Sequence, residues 1–167
     1  RITGLLLVLL YHFFQTIFPG GFFGVDVFFT FSGFLITALL IEEFSKNHEI
    51  DLVGFFRRRF YRIVPPVVLM VLVTMPFTFL VRQDYVAGIG GQIAGVLGFM
   101  TNFYELLTGG SYESQFIPHL FVHNWSLAVE VHYYILWGLA VWFLSKQAKS
   151  NGQLKGMVFL LSAAAFL

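Results

Sequence analysis

The chain has 167 residues, 57% of them hydrophobic and 11% charged, with a formal net charge of +1 and no cysteine. A soluble domain carries about 25% charged residues, so this composition excludes an ordinary water-soluble fold and reads as an integral membrane protein. The near-neutral balance excludes a bulk attraction to nucleic acid, and the missing cysteines exclude a disulfide framework and a thiolate nucleophile or metal ligand.

The apolar runs are judged against the roughly 20 residues that a spanning helix needs. The first, Ile2–Phe18, carries His12 and Gln15 and lacks the small-residue cleavage site of a secretory signal. Arg1 and His12 bracket it. Eleven residues make about three helical turns, so both side chains fall on one face, roughly 16 Å apart along the axis. With Arg1 at a membrane surface, His12 stands near the midplane. A titratable imidazole there is costly unless a bundle interior or aqueous cavity receives it, which makes His12 a functional-site candidate.

Pro19-Gly20-Gly21 marks a tight turn. The second run, Phe22–Phe44, is interrupted by Asp26, Ser32 and Gly33. Asp26, Phe29 and Gly33 stand at i, i+3 and i+7 and share a face. Gly33 permits close helix approach, and Ser32 packs helices or serves the site. A carboxylate in hydrocarbon calls for a partner, and His12 or an arginine would suit Asp26. A polar stretch, Ser45–Asp51, leads into the basic and aromatic segment Phe55–Arg62. There Arg58 and Arg62 share a helical face and Arg59 is displaced from it. With Arg57 they form either a phosphate clamp or a topogenic, headgroup-binding cluster.

Pro65-Pro66 open the third run, Val67–Val81, because proline costs least in a first helical turn. The fourth run, Val86–Tyr104, is weakened by five glycines and a glutamine, and Glu105–Asn124 reads as a loop. Trp125–Leu144 is the fifth run. Ser145–Lys155 is polar with three lysines, and the sixth run, Met157–Leu167, stops within apolar sequence. With Arg at position 1, the chain reads as a piece of a longer protein.

Orientation rests on the positive-inside rule. Lys46 and Arg57, Arg58, Arg59 and Arg62 place the connection between the second and third runs in the cytoplasm. Lys146, Lys149 and Lys155 ask for the same side. Both are satisfied if the fourth run does not span, and the five glycines favour that reading.

A last cluster opens the fifth run: His123-Asn-Trp125-Ser126-Leu-Ala-Val-Glu130-Val-His132-Tyr133-Tyr134. Ser126 and Glu130 are four apart and His123 and Glu130 seven apart, so they can face one site beside Tyr133 and Tyr134. Trp125 reads as an interfacial anchor or a pocket wall. His132 and His119 read as incidental, and His48 as a loop residue. No metal-ligand spacing and no phosphate-binding glycine loop occurs.

Four of these features stand in order: Arg1 with His12; Asp26-Val-Phe-Phe-Thr-Phe-Ser32-Gly33; Arg58-Arg59-Phe-Tyr-Arg62-Ile-Val-Pro65; and Trp125-Ser126-Leu-Ala-Val-Glu130. In this they resemble the acyltransferase 3 family, polytopic membrane O-acyltransferases that modify surface carbohydrates. The family pattern often has Thr where this chain has Asn124. The resemblance covers most of the chain and about the N-terminal half of a family domain. It implies an all-α transmembrane bundle, with five to six hydrophobic segments present out of roughly ten, residues 1–167 forming the N-terminal part of the domain. It implies an acyl-CoA co-substrate, acetyl-CoA foremost, no bound cofactor or metal, and a carbohydrate or lipid-linked sugar as acceptor. A multi-pass position in the bacterial cytoplasmic membrane follows, among lipids and without nucleic acid.

The resemblance maps an essential arginine and histidine onto Arg1 and His12 and a basic motif onto Arg58, Arg59 and Arg62, which with Arg1 would hold the donor. The residues themselves add Asp26 or Glu130 to orient the imidazole, Ser32 or backbone amides to polarise the thioester carbonyl, and Trp125, Ser126 and Tyr133 as an acceptor pocket. The chemistry agrees: a sugar hydroxyl needs a positioned base, and coenzyme A carries phosphates that arginines recognise. The rival reading is a proton-coupled transporter or flippase, in which intramembrane His, Asp and Glu form a relay.

Overall fold

The computed structural model of the protein describes residues 23–80, 88–108 and 119–164, with Leu6, Leu10, Phe13 and Phe14. Every regular element among them is helical. Helix α1 spans Gly24–Asn47, and α2 spans Leu52–Thr74 and tightens into a 3₁₀ turn at Met75–Leu80. Two short helices follow, α3 at Ile89–Leu97 and α4 at Thr101–Thr108. A 3₁₀ turn, Val122–Asn124, leads into α5 at Trp125–Gln147, and α6 covers Asn151–Ala164. Three of the described helices are long and apolar enough to cross a membrane: α1, α2 with the start of its extension, and α5 with its leading turn. Their outward residues are large and apolar, as at Phe34, Leu72 and Phe143, each more than half exposed. The all-α membrane fold expected from composition is what forms. The first apolar run lies outside the described residues apart from four positions.

The chain forms two compact units, one of Arg1–Leu52 with Leu136–Leu167 and one of Val53–Ile135. In the first, α1 turns a stripe of Ser32, Ile36, Leu40 and Phe44 inward, at the four-residue spacing of one helix face. Val141 and Ser145 of α5 and Leu154 and Val158 of α6 are buried in the same unit. Lipid tails are as apolar as these side chains, so packing and interhelical hydrogen bonds carry the association. Trp137 Nε1 donates to Thr37 Oγ1 at 2.8 Å, and Asn151 Nδ2 donates to Ser45 Oγ at 2.8 Å. Helix α1 stops at His48, whose left-handed φ of 55° lets its N–H return to the Phe44 carbonyl. Beyond that stop Glu49 meets Lys146 at 2.8 Å. The hydrogen bond from Lys146, and then its charge, hold the Glu49 carboxyl below the usual carboxylate range.

The second unit is built on α2, α3, α4 and the start of α5. Its core is Val67 and Val71 of α2, Val96 of α3 and Phe121, with Leu127 of α5 packed alongside. Helix α2 corrects one expectation. It begins at Leu52, so the basic segment is its own first half, and Pro65 and Pro66 lie in its interior instead of opening it. Each proline lacks an N–H, which leaves the Tyr61 and Arg62 carbonyls without an intrahelical donor. The fourth run is also corrected, to two short helices instead of one segment. Helix α3 ends in a Schellman turn: Met100 N–H returns to the Gly95 carbonyl at 2.7 Å and Phe99 N–H to Val96 at 3.1 Å. Phe99, not the adjacent Gly98, takes the left-handed position, with φ of 54°. Neither helix is long enough to span. Glu105, expected in a loop, lies on α4.

The glycines of this run have a use. A Cβ at Gly91 would lie 2.8 Å from Tyr104 Cε2 and one at Gly88 2.9 Å from the Tyr104 hydroxyl, and at Gly95 it would meet Tyr104 Cβ at 3.4 Å. Gly88 also has φ of 63°. The glycine row of α3 is therefore the seat of the Tyr104 ring on α4.

Candidate active site

The second unit holds a cavity of about 790 Å³. Its walls are apolar: Phe56, Phe60 and Ile63 from α2, Leu97 and Phe99 from the α3 turn, and Val131 and Ile135 from α5. Arg57 and Arg59 and the ring of Tyr134 complete the lining. Local structure aims these groups. The strained φ of Phe99 turns its side chain into the wall. The Arg59 guanidinium lies 4.4 Å from the centroid of Phe55, which is buried, so a cation–π contact fixes that charge beside the cavity. Tyr134 lies one turn beyond Glu130 on α5 and donates a hydrogen bond to its carboxylate, both side chains being buried. An apolar slot bordered by two arginines suits a ligand with a lipophilic arm and an anionic head.

The residues singled out in the sequence fall as follows. Arg1 and His12 lie outside the described residues. Asp26 is exposed in the first turn of α1, where the helix end favours negative charge, and its carbonyl accepts from Thr30 Oγ1. Ser32 is buried on the inward stripe of that helix. Arg58 and Arg62 are exposed and do not line the cavity, whereas Arg57 and Arg59 do. Trp125 begins α5, half-buried, and the Ser126 hydroxyl donates to the His123 carbonyl at 3.4 Å. The ring of Tyr133 stands 6.5 Å from that of Tyr134.

One pair escaped the sequence reading. His119 Nδ1 lies 2.9 and 3.1 Å from the two carboxylate oxygens of Glu105. The available signal was an acidic residue between Phe103-Tyr104 and Leu106-Leu107, where a lone charge needs a partner. No group of His, Asp and Glu among the described residues could hold a metal ion.

These observations meet the comparisons with known proteins. The family model of the acyltransferase domain, acyltransferase 3, matches residues 1–167. The chain belongs to the acyltransferase 3 family. It is 33% identical over 142 residues to an O-acetyltransferase OatA of Staphylococcus aureus, covering 85% of this chain and 24% of that protein. It is 31% identical over 138 residues to the peptidoglycan O-acetyltransferase OatA of Listeria monocytogenes, covering 82% and 22%. The chain thus spans about a quarter of the length of these relatives. No solved structure matches it.

Proposed function

We propose that the protein is an integral-membrane O-acetyltransferase of the bacterial cytoplasmic membrane, moving an acetyl group from acetyl-CoA to a hydroxyl of a surface carbohydrate or lipid-linked sugar. Membership of the acyltransferase 3 family and the names of the OatA relatives support the reaction class. The observation that carries the donor side is the cavity walled by Arg57 and Arg59. Guanidinium groups pair with the phosphates of coenzyme A, and the thin pantetheine arm lies along Phe56, Phe60 and Ile63. The basic end of α2 faces the cytoplasm, where the donor is available.

At the reacting centre, His12 takes the proton of the acceptor hydroxyl as that oxygen bonds to the acetyl carbon. The carbon–sulfur bond breaks, and the departing thiolate recovers the proton from the imidazolium. Asp26 or Glu130 orients the imidazole, Arg1 assists with the donor, and Ser32 or backbone amides polarise the thioester carbonyl. Trp125, Ser126 and Tyr133 contribute to the acceptor side.

The test is alkali-labile acetate on surface glycan in cells making the full-length protein, compared with His12→Gln at equal membrane abundance. Loss of acetate in the variant is expected. Retained acetate overturns the base role of His12.

A further inference from the structure

The donor cavity leaves the polar groups of α4 and of the segment before α5 unused. Helix α4 begins two residues after the cavity-lining Phe99 and turns Thr101 and Glu105 inward, one turn apart, with 2% and 7% exposure. The Glu105 carboxylate accepts from Nδ1 of His119. The other ring nitrogen of His119, Nε2, has no hydrogen-bond partner among the described residues and is free to pair with a hydroxyl, which can both donate and accept.

The place is firmly built. The Tyr104 ring, seated on the glycine row of α3, stands 5.5 Å from the His119 ring. Phe121 N–H donates to the buried Gln92 side chain at 3.3 Å, which ties the segment after His119 to α3. Two buried atoms on the same helix, Thr101 Oγ1 and Asn102 Oδ1, have no hydrogen-bond partner. Native proteins seldom leave such atoms unpaired. A structural clasp between α4 and the following segment accounts for the Glu105–His119 contact. It accounts for neither the open Nε2 nor the unpaired Thr101 hydroxyl.

A ligand hydroxyl accounts for both, since it pairs with Nε2 or donates to Asn102 Oδ1, and accepts from Thr101. We propose that the Glu105–His119 pair, with the Thr101 hydroxyl one turn away on α4, is a binding subsite for hydroxyl groups of the carbohydrate acceptor. The inference rests on the acyl-transfer reading above and adds where the acceptor is held.

The experiment uses the full-length protein in membrane vesicles, labelled acetyl-CoA, and a soluble disaccharide-peptide fragment of peptidoglycan as acceptor probe. Thr101→Val and His119→Gln are expected to raise the KM for the fragment about three- to tenfold each, the scale of one hydrogen bond, with the KM for acetyl-CoA unchanged. The melting temperature of Thr101→Val stays level or rises, because the removed hydroxyl has no partner. An unchanged KM for the fragment in both variants overturns the subsite. If His119→Gln fails to fold, Thr101→Val decides alone. Absence of any transfer by the wild type overturns the acyl-transfer reading, and the subsite with it, without recourse to a variant.

Discussion

Lys146, in the last turn of α5, donates to Glu49, just past the end of α1, at 2.8 Å across 97 residues. The contact puts the α1–α2 connection and the α5–α6 connection at one end of the first unit, and Asn151 on Ser45 repeats the placement. Cysteines introduced singly at His48 and at Lys149 of this cysteine-free chain should react with an impermeant maleimide from the same side. Labelling from opposite sides would refute the arrangement.

The same ion pair makes a pH prediction. Lys146 depresses the Glu49 carboxyl below its ordinary value of 4.5. A depressed carboxylate contributes above the unfolded value and loses that contribution as pH falls through the folded one, so the pair should weaken only below about pH 4.5. Both partners are exposed, so the consequence is local. Carboxyl titration by NMR should show the Glu49 midpoint rising in Lys146→Met.

Arginine position divides the basic segment. Arg57 and Arg59 line the cavity and Arg58 and Arg62 do not. The proposed donor role of this pair predicts that Arg57→Ala with Arg59→Ala weakens acetyl-CoA binding about tenfold or more, the scale of one charge-assisted hydrogen bond at about 1.5–3 kcal/mol. Arg58→Ala with Arg62→Ala should cost less. Calorimetric titration of the purified full-length protein measures both, and an equal loss would remove the distinction.

Tyr134 is the donor to a buried carboxylate. Tyr134→Phe keeps the ring in the cavity wall and removes that hydrogen bond, at a cost of about 1–3 kcal/mol of stability. Adding Glu130→Gln should cost less in the Tyr134→Phe background than alone, because the two side chains share that hydrogen bond. Thermal unfolding in detergent of the two single variants and the double variant reads the coupling.

Gly88 and Gly152 differ in what a methyl would meet. Gly88 has φ of 63° and the Tyr104 hydroxyl 2.9 Å from its added Cβ, whereas Gly152 on α6 has open space. Gly88→Ala should destabilise by about 1–2 kcal/mol, from left-handed strain and the displaced ring. Gly152→Ala should be neutral or stabilising by up to about 1 kcal/mol, since Ala is the better helix former. Melting temperatures of the two variants decide it.

The sequence by itself determined the membrane class, the spans of α1 and α5, and the ordered motifs that mark the family. Each is a property of local composition or of residues a few positions apart: a long apolar run has little choice but a helix in lipid, where backbone groups must pair within the segment. Tertiary structure decided the rest. Pro65 and Pro66 sit inside α2 because the basic segment before them is itself helical. Positive φ at Phe99, which no local rule assigns to phenylalanine, splits the fourth run and sends its ring into the cavity wall. Which arginines line that cavity depends on where α5 packs. Glu105 and His119 looked unrelated fourteen residues apart, and only the tertiary structure sets the His119 ring against the Glu105 carboxylate on α4. Such pairings depend on side chains distant along the chain, so no window of sequence contains them.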